Sequence, residues 1–210
     1  MTAVPRWIEA PDAARLVDQR VLLHGISWGR YCLMRELLDS PAIRLAYLEG
    51  ALEIMSPSSR HEFLKTQIAR LLEMFSVERR VPLIGYGSTT FRREAHERGV
   101  EPDECYCVGR ELGEGDEAPD IAIEVVLTNW TVNKLSIYAG LGVSEVWLWR
   151  ADRFELYVLE GAGYRALDPN DRSVLVPSLD FALLAEFVRR PDQYGAALAF
   201  RDFLRESERA

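Results

Sequence analysis

Lysine is almost missing from this 210-residue chain: of 25 basic residues only Lys65 and Lys134 are lysines, the rest being arginine. Histidine is equally thin, with His24, His61 and His96 spread widely, which argues against a histidine-rich metal site. There are three cysteines, an odd number for a disulfide framework, so a reducing cytoplasm is the expected setting. Cys105 and Cys107 form a Cys-x-Cys pair without further cysteines to complete a zinc site. In an alternating strand both would share one face as small hydrophobes. No stretch approaches the roughly 20 apolar residues of a membrane span. The amino terminus has no basic region followed by a long apolar run, so no membrane association or secretion is expected. Neither a Gly-x-Ser-x-Gly elbow nor a phosphate-cradling glycine loop occurs, which removes the common serine-hydrolase and P-loop classes. No linker, repeat or low-complexity tract divides the chain. Residues 1–210 therefore read as one domain, with helical extensions at about 1–40 and 180–210.

Net charge is −8, too acidic for an indiscriminate DNA binder, but the charge is unevenly placed. Arg60 to Arg98 holds eight Arg/Lys and five Asp/Glu, a balance of +3, whereas Glu101 to Glu124 holds nine acids and one arginine, a balance of −8. Lys65, Arg70, Arg92 and Arg93 in the basic segment are candidates to meet phosphates, with strong salt dependence. An ordinary solvated helix face beside an acidic loop would give the same counts.

One part of the sequence speaks about chemistry. Ile121–Leu127 is a strand-like apolar run interrupted by a single carboxylate, Glu124. Upstream, Glu101-Pro102-Asp103 opens a second apolar run, Cys105–Val108. If the two runs form an antiparallel hairpin with Asp103 opposite Glu124, its turn centre falls between Gly113 and Glu114, inside a stretch rich in glycine and acid. Opposed residues share a face. Two such carboxylates about 5 Å apart repel by roughly 3 kcal/mol at an effective dielectric near 20. Bound Mg²⁺ or Mn²⁺ reverses that sign, since these hard ions take a few carboxylates together with waters and phosphates. The bland alternative is a pair of solvent-facing strand ends, less comfortable for Glu124 between Ile123 and Val125. On this reading, removing either carboxylate leaves the fold intact or more stable.

Lys134 follows within ten residues of Glu124. The segment Thr131–Leu141 reads as a short helix ending at Gly140 or Gly142, with Lys134, Ile137, Tyr138 and Leu141 on one face. A lysine there can snorkel to water. In a chain that otherwise uses arginine, it also suggests a need for a compact ammonium rather than a planar fork. His61, in the first turn of a helix capped by Ser58, is a secondary site candidate, although such histidines are more often packing residues. Glu62 is weaker still, and Glu53 sits at a strand position that can equally face solvent.

Pro102-Asp103, Glu124-Val125-Val126, Lys134, Tyr138, Gly142-Val143 and Glu145-Val146-Trp147 resemble the Uma-type endonucleases of the PD-(D/E)XK, restriction-endonuclease-like superfamily. Met55-Ser56-Pro57 with His61, and Gly87 through Arg93 leading to Asp103, extend the likeness over roughly residues 25 to 160. Two features depart from the pattern. Val126 stands where a lysine is expected two residues after the second acid, the ammonium having moved to Lys134. The link from Glu124 to the helix is also short and lacks the Ser-Pro-Ser-Thr stretch. The resemblance implies an α/β fold with a mixed central sheet of about four strands, flanked by helices, and a site at one sheet end. It implies a Mg²⁺- or Mn²⁺-dependent endonuclease acting on nucleic acid, DNA foremost, with Asp103 and Glu124 as metal ligands, Lys134 as the third catalytic residue, and a homodimer as one arrangement. A catalytically inactive nuclease-fold module that binds nucleic acid or protein is the alternative.

Independent of the resemblance, Tyr47–Ile54 alternates around Glu49-Gly50 as a hairpin. Leu64, Ile68, Leu71, Leu72 and Phe75 recur at helical spacing, and Thr89-Thr90-Phe91 reads as a strand. Glu145–Trp149 and Phe154–Leu159 flank a further turn. Helices are expected at Ser27–Leu38 and near Gly195–Glu208.

Overall fold

The Glu49-Gly50 turn forms as its sequence dictates. Both residues take left-handed backbone angles (φ 46° and 92°), the two positive values that a two-residue hairpin requires. In the computed structural model, which describes residues 17–40, 42–113 and 118–207, this turn joins β2 (Arg44–Leu48) to β3 (Ala51–Ser56). β3 also pairs with β1 (Gln19–Leu23), and β2 with β6 (Arg98–Val100), which carries β5 (Phe91–Arg93) at the edge. All these pairings are antiparallel.

A second, six-stranded sheet is mixed. Its strands are β4 (Leu83–Gly85), β7 (Glu104–Val108), β8 (Ile121–Val126), β9 (Glu145–Arg150), β10 (Arg153–Glu160) and β11 (Gly163–Ala166), in the order β11-β10-β9-β8-β7-β4. Only β8 and β9 run parallel. Between them the chain crosses over through α3 (Lys134–Leu141), as parallel neighbours demand. Every residue of β8 is buried, which explains its continuous apolar run. On one face Ile121, Ile123 and Val125 meet Leu64, Ile68, Leu71, Leu72 and Phe75 of α2 (Ser59–Arg79), with α4 (Phe181–Val188) and α5 (Gln193–Ser207) completing that core. On the other, Ala122 and Val126 meet Ile137, Tyr138 and Leu141 of α3, together with Ala46, Phe91 and Val100 of the first sheet.

The mixed central sheet flanked by helices is as expected, but it has six strands rather than the about four that the resemblance implied, and five more form a second sheet. β4, β5 and β6 are three residues each, too short for a pattern, and are held by their neighbours. The strand expected at Thr89 starts at Phe91. The expected N-terminal helical segment also needs correction. Residues 1–16 lie outside the described residues, Gln19–Leu23 is strand, and helix begins only at α1 (Trp28–Leu37). Val21, Leu22 and Leu23 satisfy their backbone on β3, which overrides any local preference. Among the described residues no helix is long and apolar enough to cross a membrane.

Gly99, in β6 of the first sheet, leaves no room for a side chain: a Cβ there would lie 2.2 Å from the Tyr31 hydroxyl. Tyr31 cannot retreat, since it is fully buried and stacks on Tyr47 with centroids 4.7 Å apart. Gly99→Ala is expected to lower stability by about 1–3 kcal/mol through overpacking. Gly29→Ala, in the exposed face of α1 with open space around it, should instead raise it by about 0.5–1 kcal/mol. Urea unfolding of both variants measures the contrast.

Candidate active site

The β7–β8 ladder pairs Glu104 with Ile123, Cys105 with Ala122 and Tyr106 with Ile121. One step further along that register sets Asp103 opposite Glu124, the pairing read from the sequence, with the turn residues 114–117 outside the described residues. Glu124 shares the α3 face of β8 with Ala122 and Val126. Its Oε2 accepts from Lys134 Nζ at 2.7 Å, and its Oε1 accepts from the Tyr138 hydroxyl. All three side chains are buried.

Lys134 occupies the first position of α3, behind the Asn133 cap, whose side chain accepts from the Ser136 amide. A helix start favours anions, and burial disfavours any charge. Both rules are broken at Lys134, and Glu124 is what compensates. Burial pushes the Glu124 carboxyl up, and the charge of Asp103 adds to this, while Lys134 and Tyr138 oppose it. Tyr138 itself is driven well above its ordinary range by burial and by Glu124.

Asp103 Oδ2 accepts from the Val125 amide at 2.8 Å, and Oδ1 lies 2.9 Å from His61 Nε2. That second contact is close but poorly directed, so it acts as a charge contact more than a hydrogen bond. His61 Nδ1 sits 3.1 Å from Asp18 Oδ2, while Asp18 Oδ1 accepts from the Ser58 amide. His61 and both carboxylates are buried, making an Asp18–His61–Asp103 chain. Burial pushes the imidazole down, but the two carboxylates outweigh it and raise its pKa to about 10. Asp103 moves the other way: burial would raise it, yet His61, Lys134 and the Val125 amide hold it at about 2.

A supporting layer surrounds these groups. Glu53, fully buried rather than solvent-facing, accepts from Arg20 Nη1 at 2.6 Å and from both the amide and hydroxyl of Thr131 at 2.7 Å. Arg20 also donates to Thr128 and lies 3.6 Å from Asp18. Glu53 thereby pins the loop leading into Lys134. Lys65 is mostly buried, 3.8 Å from the partly exposed Glu62 and 3.9 Å from Glu104, next to Asp103. Glu104 is raised to about 7 by burial, with Lys65 opposing and Asp103 reinforcing. Arg92 is exposed on β5, and Arg93 reaches the Gly140 carbonyl at 3.5 Å. The structure thus brings Asp103, Glu124, Lys134 and His61 together, with Lys65 beside them, and puts Arg92 and Arg93 on the other sheet. Asp18 and Arg20 join the cluster without a sequence signal of their own, and Tyr138, read only as part of the α3 face and of the family resemblance, joins it through its hydroxyl.

Asp18, Glu53, Asp103 and Glu124, counted as charged, face Arg20, Lys134 and a protonated His61. Four negative charges against three positive leave one uncompensated. Asp103 and Glu124 offer the hard oxygen donors that could hold a divalent cation. Among the described residues no group of three or more His, Cys, Asp and Glu side chains is arranged to hold a metal, so water and phosphate would complete the sphere. Each carboxylate oxygen keeps a second lone pair for the purpose.

Compared with known families, residues 29–186 match the Uma2 family, described as "Putative restriction endonuclease". The chain belongs to that family. Membership bears out the resemblance read from the motifs and agrees with the α/β, restriction-endonuclease-like core. A search of curated proteins returned no match. The matched span begins after β1, so Asp18 and Arg20 reach the cluster from outside it.

Because Glu124 is paired with Lys134 and Asp103 with His61, a neutral or stabilising alanine substitution is no longer the expected outcome. Glu124→Ala strands a buried ammonium and should cost about 3–5 kcal/mol in guanidinium unfolding. His61 yields a pH signature. Its folded pKa of about 10 exceeds the ordinary 6.5, so its stabilising contribution is complete below pH 6.5 and is lost as pH rises through 10. The metal-free melting temperature should fall across that window, and His61→Asn should flatten the slope. A wild-type slope equal to the variant's would contradict the charge assignment.

Proposed function

We propose that the chain is a Mg²⁺- or Mn²⁺-dependent endonuclease that hydrolyses phosphodiester bonds in DNA. The observation that carries this reading is the convergence of Asp103, Glu124 and Lys134 on one face at the end of the mixed sheet. Asp103 and Glu124 hold the ion, which when bound polarises the phosphodiester and acidifies an attacking water. His61, oriented by Asp18, keeps Asp103 ionised at neutral pH. Tyr138 fixes one oxygen of Glu124 while Lys134 engages the other. The ammonium has three donors, so Lys134 can keep Glu124 and still meet a phosphoryl oxygen as negative charge gathers there. Arg92 contributes a phosphate contact from the first sheet, with Lys65 and Arg93 closer to their own partners. A homodimer belongs to the proposal: Leu33 and Leu37, one turn apart on α1, are 55% and 74% exposed and supply apolar surface. The buried, reduced Cys105, donating to the Gly87 carbonyl, suits a cytoplasmic setting.

A second reading draws on one specific feature. Every oxygen of Asp103 and Glu124 already has a protein partner, and both residues are at most 2% exposed. A nuclease fold locked in that state binds nucleic acid without cutting it.

Calorimetric titration with Mn²⁺ and Mg²⁺ separates the two. Wild-type protein should bind and the near-isosteric Asp103→Asn/Glu124→Gln double variant should not, with cleavage of plasmid and oligonucleotide DNA lost alongside. Lys134→Arg should reduce cleavage at least tenfold, because a planar fork does not replace a compact ammonium. No metal binding by wild type, with DNA present as well as absent, would replace the enzyme reading with the binding module.

A further inference from the structure

A cleft of about 430 Å³ opens beside the buried cluster, within the span of small-ligand sites. Its position follows from topology. Leu148 on its floor is the β9 partner of Glu124, and Arg150 at its rim ends the same strand. Trp130 and Asn133 come from the short link that joins Glu124 to Lys134. The cleft therefore lies at the carboxyl ends of the two parallel strands, where α/β sheets usually receive ligands.

Its lining has a definite chemistry. The half-buried Trp130 indole has Arg150 Cζ 5.7 Å from its centroid and Lys134 Nζ 5.8 Å from it. Arg150 Nη1 donates to Glu155 at 3.2 Å, but Arg150 Nε and Trp130 Nε1 are buried nitrogens with no protein acceptor. Asn129 and the Asn133 amide group add further donors at the edge. An aromatic surface and a guanidinium are what a nucleotide uses: the base stacks, and the phosphate accepts.

We propose that this cleft takes one unpaired nucleotide of the strand being cut, its base on Trp130 and its phosphate on Arg150. The inference rests on the endonuclease reading above and narrows its substrate. A base inside a duplex has both faces covered by its neighbours, so stacking on the half-buried indole selects single-stranded, flapped or frayed DNA. Lys134 Nζ lies over the Trp130 ring, 5.8 Å from its centroid, so seating the base also sets the adjacent phosphate toward the ammonium.

The test uses the full chain in chelator, with fluorescence anisotropy of a labelled single-stranded oligonucleotide and of the same sequence as a blunt duplex. Wild type should prefer the single strand. Trp130→Ala should weaken that binding roughly tenfold, the loss of one stacked base, and Trp130→Phe should restore most of it. Arg150→Ala should weaken it too, whereas Arg165→Ala, an exposed arginine paired with Glu160, should not. Melting temperatures establish that each variant folds, and the phenylalanine variant carries the test if alanine does not. Equal affinity of the Trp130, Arg150 and wild-type proteins, or a wild-type preference for duplex, overturns the inference. If Mn²⁺ still binds through Asp103 and Glu124 in that case, the cleft alone is misassigned. Wild type that binds neither Mn²⁺ nor either oligonucleotide refutes the nuclease reading with it.

Discussion

An ammonium and a carboxylate lie at the same buried depth between β8 and α3, and neither is tolerable without the other. Lys134 meets the wrong end of a helix dipole in a place that excludes water. Glu124 interrupts the most buried strand in the sheet. Their contact makes both placements possible, and the surrounding residues are constrained by it. Tyr138 must face Glu124 because the remaining oxygen needs a donor. Asp103, beside that pair, adds a negative charge that has to be balanced from elsewhere, which is the office of His61. A buried imidazolium in turn requires Asp18. The cluster is thus a sequence of obligations, each answered by a residue on a different element.

Those obligations explain why the strand before the matched family span matters. β1 contributes little core of its own, and Val21 is 54% exposed. What it and the residue before it deliver is polar: Asp18 to His61 and to the start of α2, Arg20 to Glu53. Glu53 then holds Thr131, three residues before Lys134. Position is transmitted from the first sheet to the ammonium through two polar side chains, alongside the apolar packing of Ala46, Phe91 and Val100 on α3.

Much of this was legible in the sequence, and the reasons are physical. The hairpin register could be read because strand pairing has a fixed period and the glycine-acid stretch marks its centre. α2 could be read because its five apolar positions recur at helical spacing, and the α3 face because Lys134, Ile137, Tyr138 and Leu141 do likewise. The short β6 of the first sheet could not, since three residues carry no period, and β5 begins two residues after the strand expected at Thr89. Nor could Asp18 and Arg20, whose partners lie up to 43 and 108 residues away. Glu53 looked free to face solvent because alternation gives two faces and does not say which is covered. Tyr138 counted as apolar, and its hydroxyl took on meaning only when Glu124 was set opposite.

The same dispersal has a temporal side. The cluster is drawn from positions 18, 20, 53, 61, 103, 124, 134 and 138, so it cannot close until all of them have left the ribosome. During synthesis Asp18, Arg20, Glu53 and His61 emerge long before Glu124 and Lys134, and until then they are better served by water than by the core. Hydrophobic contacts within the α2 helix and the β2–β3 hairpin are local and free to form early. The order in which this chain matures is therefore scaffold first and charge last, with Lys134 as the residue whose arrival lets the interior dry.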